Sequence, residues 1–359
     1  MFIRVDANNT IGNGHFMRCI ALAQAWEKIG GEITFISACE TEILKNRIKK
    51  EGYEFFPLEY AYPNEADLEQ TINCIRASSN TNKYIALDGY HFDTHYQKCL
   101  KDISNSLLII DDTAHLDHYV ADIILNQNII ANDLTYSCDP ETTFLLGTDY
   151  VLLRDEFLFY KNWNRKIQQI AKRILVSLGG SDSKNITLEV LCALDQVNVD
   201  GLETKVIVGP NNLHLSTLIK AVRNSKHKID LLQNVSNMPD LMIWADMAIS
   251  SAGSTCWELA YLGLPAILII SSANQAMNLE SLEKNGAVNF VSNRMSIPTK
   301  MISREIHDLI MKNDLRNDMS YKGKLLVDGN GSERVVQAFQ ILNKKAKDNN
   351  ERENTTVNI

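Results

Sequence analysis

Short apolar runs alternate along the chain with segments whose apolar residues recur every three or four positions. The runs predict strands at 2–5, 32–37, 53–58, 84–88, 107–111, 122–125 and 143–146. Helical spacing fills the intervals at 13–29, 40–50, 65–77 and 93–104. A polar, basic stretch at 160–172 reads as a helix and linker, and the alternation then restarts. Further strands are predicted at 172–178, 204–208, 229–232, 247–250 and 266–270, with helices from about 184, at 238–244 and at 255–262. Strand–helix repetition of this kind builds a parallel sheet covered on both faces. The expected fold class is therefore α/β, two Rossmann-like doubly wound domains facing across a cleft. The boundaries expected are 1–165 and 166–343, followed by a polar, disordered tail at 344–359.

Composition narrows the function more than the fold. The 359 residues suit two domains, and a chain 45% hydrophobic and 22% charged is able to bury two cores. A net charge of −8, with only short basic clusters, argues against nucleic acid as the main partner. The seven cysteines are scattered and form no Cys-x-x-Cys pair, which fits reduced thiols. The sequence opens directly on a strand pattern without the layout of a signal peptide, and no apolar run approaches a membrane span. A cytoplasmic protein without stable membrane association is expected; oligomeric state is left open.

In doubly wound sheets ligands meet the loops that follow the strands. The first such loop, Asp6 to His15, contains Gly12 and Gly14 and opens into a helix carrying Arg18 one turn after His15. The helix N-terminus disfavours a protonated imidazole, so His15 suits proton abstraction, although a helix-capping His with a surface Arg gives the same pattern. In the second half, Ser250-Ser251-Ala252-Gly253-Ser254-Thr255 lies between a strand and a helix and offers N–H groups and hydroxyls to a phosphate. Glu258, one turn on, fits either a ribose diol or a capping-box partner for Ser254 or Thr255. Gly179-Gly180-Ser181-Asp182 is a second loop of the same kind, or a plain turn. Asp111-Asp112 with His115 and His118 invites a metal, but lacks a fuller ligand set; holding ligand hydroxyls or positioning loops is the other reading. Asp88-Gly89-Tyr90-His91 ends a further strand. No nucleophile elbow, phosphate-binding Walker loop or zinc-protease histidine pair is present.

Taken together, these residues resemble a known family. Arg4-Val5-Asp6, Ile11-Gly12-Asn13-Gly14-His15-Phe16-Met17-Arg18-Cys19, Asp111-Asp112 and Ile124-Leu125-Asn126-Gln127-Asn128 carry the likeness in the first half. Leu145-Leu146-Gly147, Tyr150 to Arg154, Glu156-Phe157, Ser177 to Asp182, Asn237-Met238 and Ser250 to Glu258 continue it. The sequence is similar to the UDP-2,4-diacetamido-2,4,6-trideoxy-β-L-altropyranose hydrolases of pseudaminic acid biosynthesis, which share the GT-B fold with the glycosyltransferase that makes lipid II. It departs at Thr148 and Asp155, loop positions where prolines are expected.

The resemblance implies a nucleotide-sugar hydrolase that needs no cofactor and no metal and binds a small-molecule UDP-sugar. His15 would be the catalytic base, taking a proton from a water that attacks the anomeric carbon with inversion. UDP would lie on Gly179, Gly180, Ser181 and on Ser251, Ala252, Gly253, Ser254 and Thr255, with ribose at Glu258 and uracil near Val235 and Met238. Asp6, Asn13, Gly14, Arg18, Asp112 and Arg154 would bind the rest of the substrate. Asp88, Tyr90, Asp111, Asn274 and Gln275 join them by position at loop starts. Two other readings remain. A GT-B glycosyltransferase would pass the sugar to an acceptor, but no amphipathic basic membrane helix is visible in the first half. A non-catalytic nucleotide-sugar sensor would have no need of His15 and Arg18.

Overall fold

Seven strands of the first half, β1 (Phe2–Val5), β2 (Thr34–Ser37), β3 (Glu54–Pro57), β4 (Tyr84–Asp88), β5 (Ser106–Ile110), β6 (Ile123–Asn126) and β7 (Thr143–Leu146), pair in parallel in the order β3-β2-β1-β4-β5-β6-β7. Central strands such as β1, β5 and β6 are buried at every position, which is why they read as largely apolar runs, interrupted in β1 by Arg4. The edge strand β3 is largely exposed and carries Glu54 and Pro57, which discourage pairing with a further strand. Helices α1 (Gly14–Glu27), α2 (Glu42–Glu51), α3 (Glu65–Ala77) and α4 (Thr94–Lys101) fall where the helical spacing predicted them. This is a computed structural model, and it describes residues 1–8, 13–209, 212–270, 276–291 and 298–356.

After the short helix α5 (Asp155–Leu158) the second half repeats the plan. Strands β8 (Arg173–Ser177), β9 (Glu203–Ile207) and β10 (Lys228–Leu232) alternate with helices α6 (Ile186–Asp195) and α7 (Leu215–Asn224). Then come α8 (Met238–Trp244), β11 (Met247–Ser251), α9 (Thr255–Tyr261), β12 (Ala266–Ile269), α10 (Ala276–Lys284) and β13 (Asn289–Val291). The sheet order is β10-β9-β8-β11-β12-β13, again all parallel. Helices α11 (Thr299–Met311) and α12 (Asn313–Leu326) follow, and α13 (Gly331–Thr356) ends the described chain. No helix among the described residues is long and apolar enough to cross a membrane.

The two compact units are 1–154 with 330–359, and 155–329. They replace the expected boundaries at 165 and 343, because α13 returns to the first unit. Val335, Val336 and Phe339 lie in the core that contains α1 and β1. The Phe339 ring packs at 5.5 Å from Trp26 and 5.8 Å from Tyr84, centroid to centroid. Entry to this helix needs glycine at 331, where a Cβ would come within 2.2 Å of the Val151 carbonyl oxygen. The segment 344–356, expected as a disordered tail, continues α13.

Residues 160–172 are not helical. Local spacing misled here because tertiary bonds decide the backbone. The half-buried Arg165 guanidinium donates to the carbonyls of Met242, Ala245 and Leu262, the ends of α8 and α9. Burial lowers its pKa to about 10. Arg316 from α12 closes the end of α11 in the same way and holds the carbonyls of Gln168 and Gln169.

Candidate active site

Both sheets have the strand order of a doubly wound fold, so each has one point where successive connections diverge: β1/β4 in the first, β8/β11 in the second. Carboxyl-end loops at these points are the places for a ligand.

In the first unit, α1 begins at Gly14 immediately after the β1 loop and so lifts His15 to the strand ends. Its Nδ1 lies 2.6 Å from Asp88 Oδ1 at the end of β4. A carboxylate at that distance requires the proton on Nδ1, an assignment made from the bonding pattern, and in the neutral ring leaves Nε2 with a lone pair that no described residue engages. Arg18, one turn along α1, donates from Nε and Nη2 to the two oxygens of Asp88, each at 2.7 Å, and from Nη1 to both oxygens of Asp112 at 2.9 Å. Asp112 also accepts from the Tyr90 hydroxyl at 2.5 Å and the Asn128 amide at 2.7 Å. The Tyr90 ring stands edge-on to His15, centroids 4.9 Å apart. Burial raises the Asp88 carboxyl, but Arg18 and His15 more than offset this and hold it well below the carboxylate range. Cys19, whose thiol contacts Asp88, is shifted far upward by burial and then by that carboxylate.

Beneath this layer lies a second charged cluster. The Arg4 guanidinium, wholly buried in β1, bonds Asp6, Asp67 and the Tyr96 hydroxyl, and sits 4.8 Å over the Phe92 ring. Asp6 additionally accepts the Ala38 N–H at 2.7 Å and faces His91 Nε2 at 2.9 Å. Burial raises its carboxyl, while His91 and Arg4 bring it below its ordinary value. Asp111, at the end of β5, accepts from the Thr113 and Ala114 N–H groups and from the hydroxyls of Tyr119 and Tyr136, and faces His115 Nδ1. His118 turns instead to the Ser137 hydroxyl.

The structure thus brings His15, Arg18, Asp88, Tyr90 and Asp112 into one connected group. Asp6 and Asp111 are committed to neighbouring loops. Asn13 precedes α1, and its Oδ1 is buried with no partner among the described residues. Arg154 is buried with Nη1 3.8 Å from Met17 Sδ. Gly12, Asn274 and Gln275 lie outside the described residues. Sequence reasoning did not single out Asp67 or Tyr96, quoted Arg4 and Asn128 only as part of the resemblance, and met His115 only in the metal reading. Arg4 alone had a signal: a cation inside an otherwise apolar buried strand demands an ion-pair partner.

The second unit's loops are built from backbone and small side chains. Gly209, after β9, packs directly on the backbone of Gly180, where a Cβ would come within 2.0 Å of its carbonyl oxygen. A Cβ at Gly179 would lie 3.9 Å from Ser251 Oγ, so the β8 and β11 loops adjoin. Asp182, next to Ser181, accepts from the N–H groups of Ile186 and Thr187 at 2.8 and 2.9 Å and thereby caps α6. Ala252 and Gly253 lead to Ser254, the N-cap of α9, whose side chain makes no capping bond; Thr255 begins that helix and Glu258 lies half-buried in its first turn. Val235 lies in the loop between β10 and α8 and Met238 begins α8, beyond β9 from this junction. There Asn237 caps α8.

Residues 173–335 match the Glycosyltransferase family 28 C-terminal domain, a segment of under half the chain. An uncharacterised protein of Methanocaldococcus jannaschii, MJ1062, is 26% identical over 282 residues, 76% of this chain and 56% of that protein. The pseudaminic acid cytidylyltransferase and UDP-2,4-diacetamido-2,4,6-trideoxy-β-L-altropyranose hydrolase of Helicobacter pylori is 24% identical over 289 residues, 79% of this chain and 47% of that protein. The chain spans about half the length of these curated relatives. The crystal structure of MurG from Acinetobacter baumannii superposes with a TM-score of 0.63 at 14% identity, covering 94% of this chain and 99% of that one. The fold is two parallel-sheet α/β domains of the GT-B kind. The matches support a GT-B nucleotide-sugar enzyme family as the class.

Proposed function

We propose that the protein hydrolyses a UDP-2,4-diacetamido-2,4,6-trideoxyhexose to UDP and the free sugar, a step in pseudaminic acid biosynthesis in the cytoplasm. The observation that carries this reading is the His15–Asp88 pair. It orients an imidazole at the strand ends with one nitrogen anchored and the other open to take a proton.

In this reading His15 Nε2 removes a proton from water as the oxygen attacks the anomeric carbon. The C1–O bond breaks on the opposite face, and the electron pair leaves with UDP. The first unit supplies the base, and Asn13 offers an unpartnered amide oxygen to the sugar. Arg18 has its donors on Asp88 and Asp112, so it positions the base through the carboxylate that anchors it. In the second unit, the loops at Gly179–Ser181 and Ser251–Thr255 hold the diphosphate and Glu258 the ribose. The name of the H. pylori relative, which includes this hydrolase, supports the reaction.

Glycosyl transfer is the second reading, favoured by the family match over 173–335 and by the likeness to MurG. Incubation with the UDP-sugar in EDTA without acceptor, followed by NMR, distinguishes the two. Hydrolysis gives UDP and free sugar with the inverted anomer first. Intact substrate on a protein that still binds UDP favours transfer. His15→Ala is expected to reduce turnover by roughly 10²-fold or more while UDP binding stays unchanged; a rate near wild type removes His15 from the chemistry.

A further inference from the structure

His115 bridges two loops through both of its ring nitrogens. Nδ1 lies 3.1 Å from Asp111 Oδ2 and Nε2 lies 3.0 Å from the Tyr90 carbonyl oxygen. Neither partner can donate. A carbonyl oxygen only accepts, and Asp111 already receives two backbone N–H groups and two tyrosine hydroxyls, as only an ionised carboxylate can. A neutral imidazole has a single N–H and can serve one of these partners. The imidazolium serves both.

The anchored residue is Tyr90, whose hydroxyl reaches Asp112, which in turn binds Arg18 beside Asp88 and His15. The Tyr90 ring lies 4.9 Å from the His15 ring and 5.9 Å from the His115 ring, near right angles to each. The Asp111 loop is itself held in an uncommon form, with Ala114 at φ 51°. We propose that His115, as an imidazolium, is a strut that ties the loop after β4 to the loop after β5 and so positions Tyr90 and Asp112 against Arg18 and His15.

A strut of this kind is pH-dependent, and the groups facing the imidazole set the direction. From the β5 side these are the Asp111 carboxylate and the Thr113 hydroxyl, from the following loop the Tyr119 hydroxyl at 3.5 Å, and from the β4 loop the Tyr90 carbonyl and ring. The bond to Asp111 raises the His115 pKa above 6.5, with burial opposing. A raised folded-state value means the bridge is fully present below 6.5 and lost as pH rises through the folded value. His115 touches no reacting atom; it acts through Tyr90.

The test needs no variant to begin. NMR titration of the wild-type His115 ring is expected to give a midpoint above 6.5, and hydrogen exchange of segment 88–92, corrected for intrinsic rates, is expected to lose roughly tenfold protection through that midpoint. His115→Gln should start with the lower protection and lack the pH step. A midpoint at or below 6.5, or protection indifferent to both pH and the substitution, overturns the strut. The activity arm rests on the hydrolase reading: kcat should fall several-fold in His115→Gln at neutral pH, with the wild-type alkaline limb flattened and UDP affinity unchanged. If the UDP-sugar is not turned over but titration and exchange behave as stated, the hydrolase reading fails and the strut stands. If turnover proceeds while the midpoint and exchange do not, the reverse holds.

Discussion

The two units share a strand order but assemble their strand-end loops by different physics. The first is tied together by charge: Arg18 joins Asp88 to Asp112, and Arg4 joins Asp6 to Asp67. The second is tied by close backbone approach, Gly209 on Gly180 and Gly179 beside Ser251. A charged cluster is preorganised and can hold a base in one orientation. Its members are costly to strand, because each buried carboxylate needs its cation. A backbone cradle carries no fixed charge and keeps its N–H groups available to an anion, but tolerates no added volume.

This contrast can be broken from either side. The largest effect is expected from Arg4→Met, which leaves two buried carboxylates without their cation and should cost about 3–5 kcal/mol in urea unfolding of the first unit. A loss under about 1 kcal/mol would mean that the carboxyls simply take up protons. Gly209→Ala should cost about 1–3 kcal/mol in the second unit and weaken UDP binding in calorimetry, since Gly180 must move; unchanged affinity would separate that junction from the nucleotide. Asp182→Ala removes a cap from α6 and should cost about 0.5–2 kcal/mol by thermal unfolding, with His15 chemistry untouched.

Mild acid should sharpen the contrast with the smallest perturbation. Asp6, Asp88 and Asp111 in the first unit are held below their ordinary carboxyl values, against the buried Asp246 in the second. A depressed carboxyl contributes stability that is present above its unfolded value, near 3.8, and is lost as pH falls through the folded one. Hydrogen exchange between pH 5 and pH 3 should therefore open β1, β4 and β5 before β8 and β9. The opposite order would assign the acid sensitivity to Asp246.

The strands and most of the first unit's helices were legible because parallel strands buried on both faces read as apolar runs, as at 84–88 and 106–110. The Gly14-His15-x-x-Arg18 spacing correctly put both side chains at one helix start. What the sequence hid was partnership. Asp88, Asp111 and Asp112 looked alike as acids at strand ends, yet one orients the His15 ring, one folds its own loop and one anchors a tyrosine. Such partnerships depend on which loops the sheet order makes neighbours, and β4 lies beside β1 across dozens of intervening residues. The linker at 160–172 failed for the same reason, since Arg165 finds its acceptors on α8 and α9. His115 was marked only as one of two histidines beside Asp111-Asp112, a pattern that invited a metal and gave no hint of its contact with the Tyr90 carbonyl.

The return of α13 to the first unit also sets an order of events during translation. The second unit is contiguous, and its segment is complete once residue 329 has left the ribosome. The first unit begins earlier but lacks Val335, Val336 and Phe339 until residues beyond 329 are made. Trp26 and Tyr84 must wait, without their aromatic partner, for more than two hundred residues to be added. The amino-terminal half is thus the last to close, and during that interval its exposed apolar face is where chaperone binding or aggregation would begin.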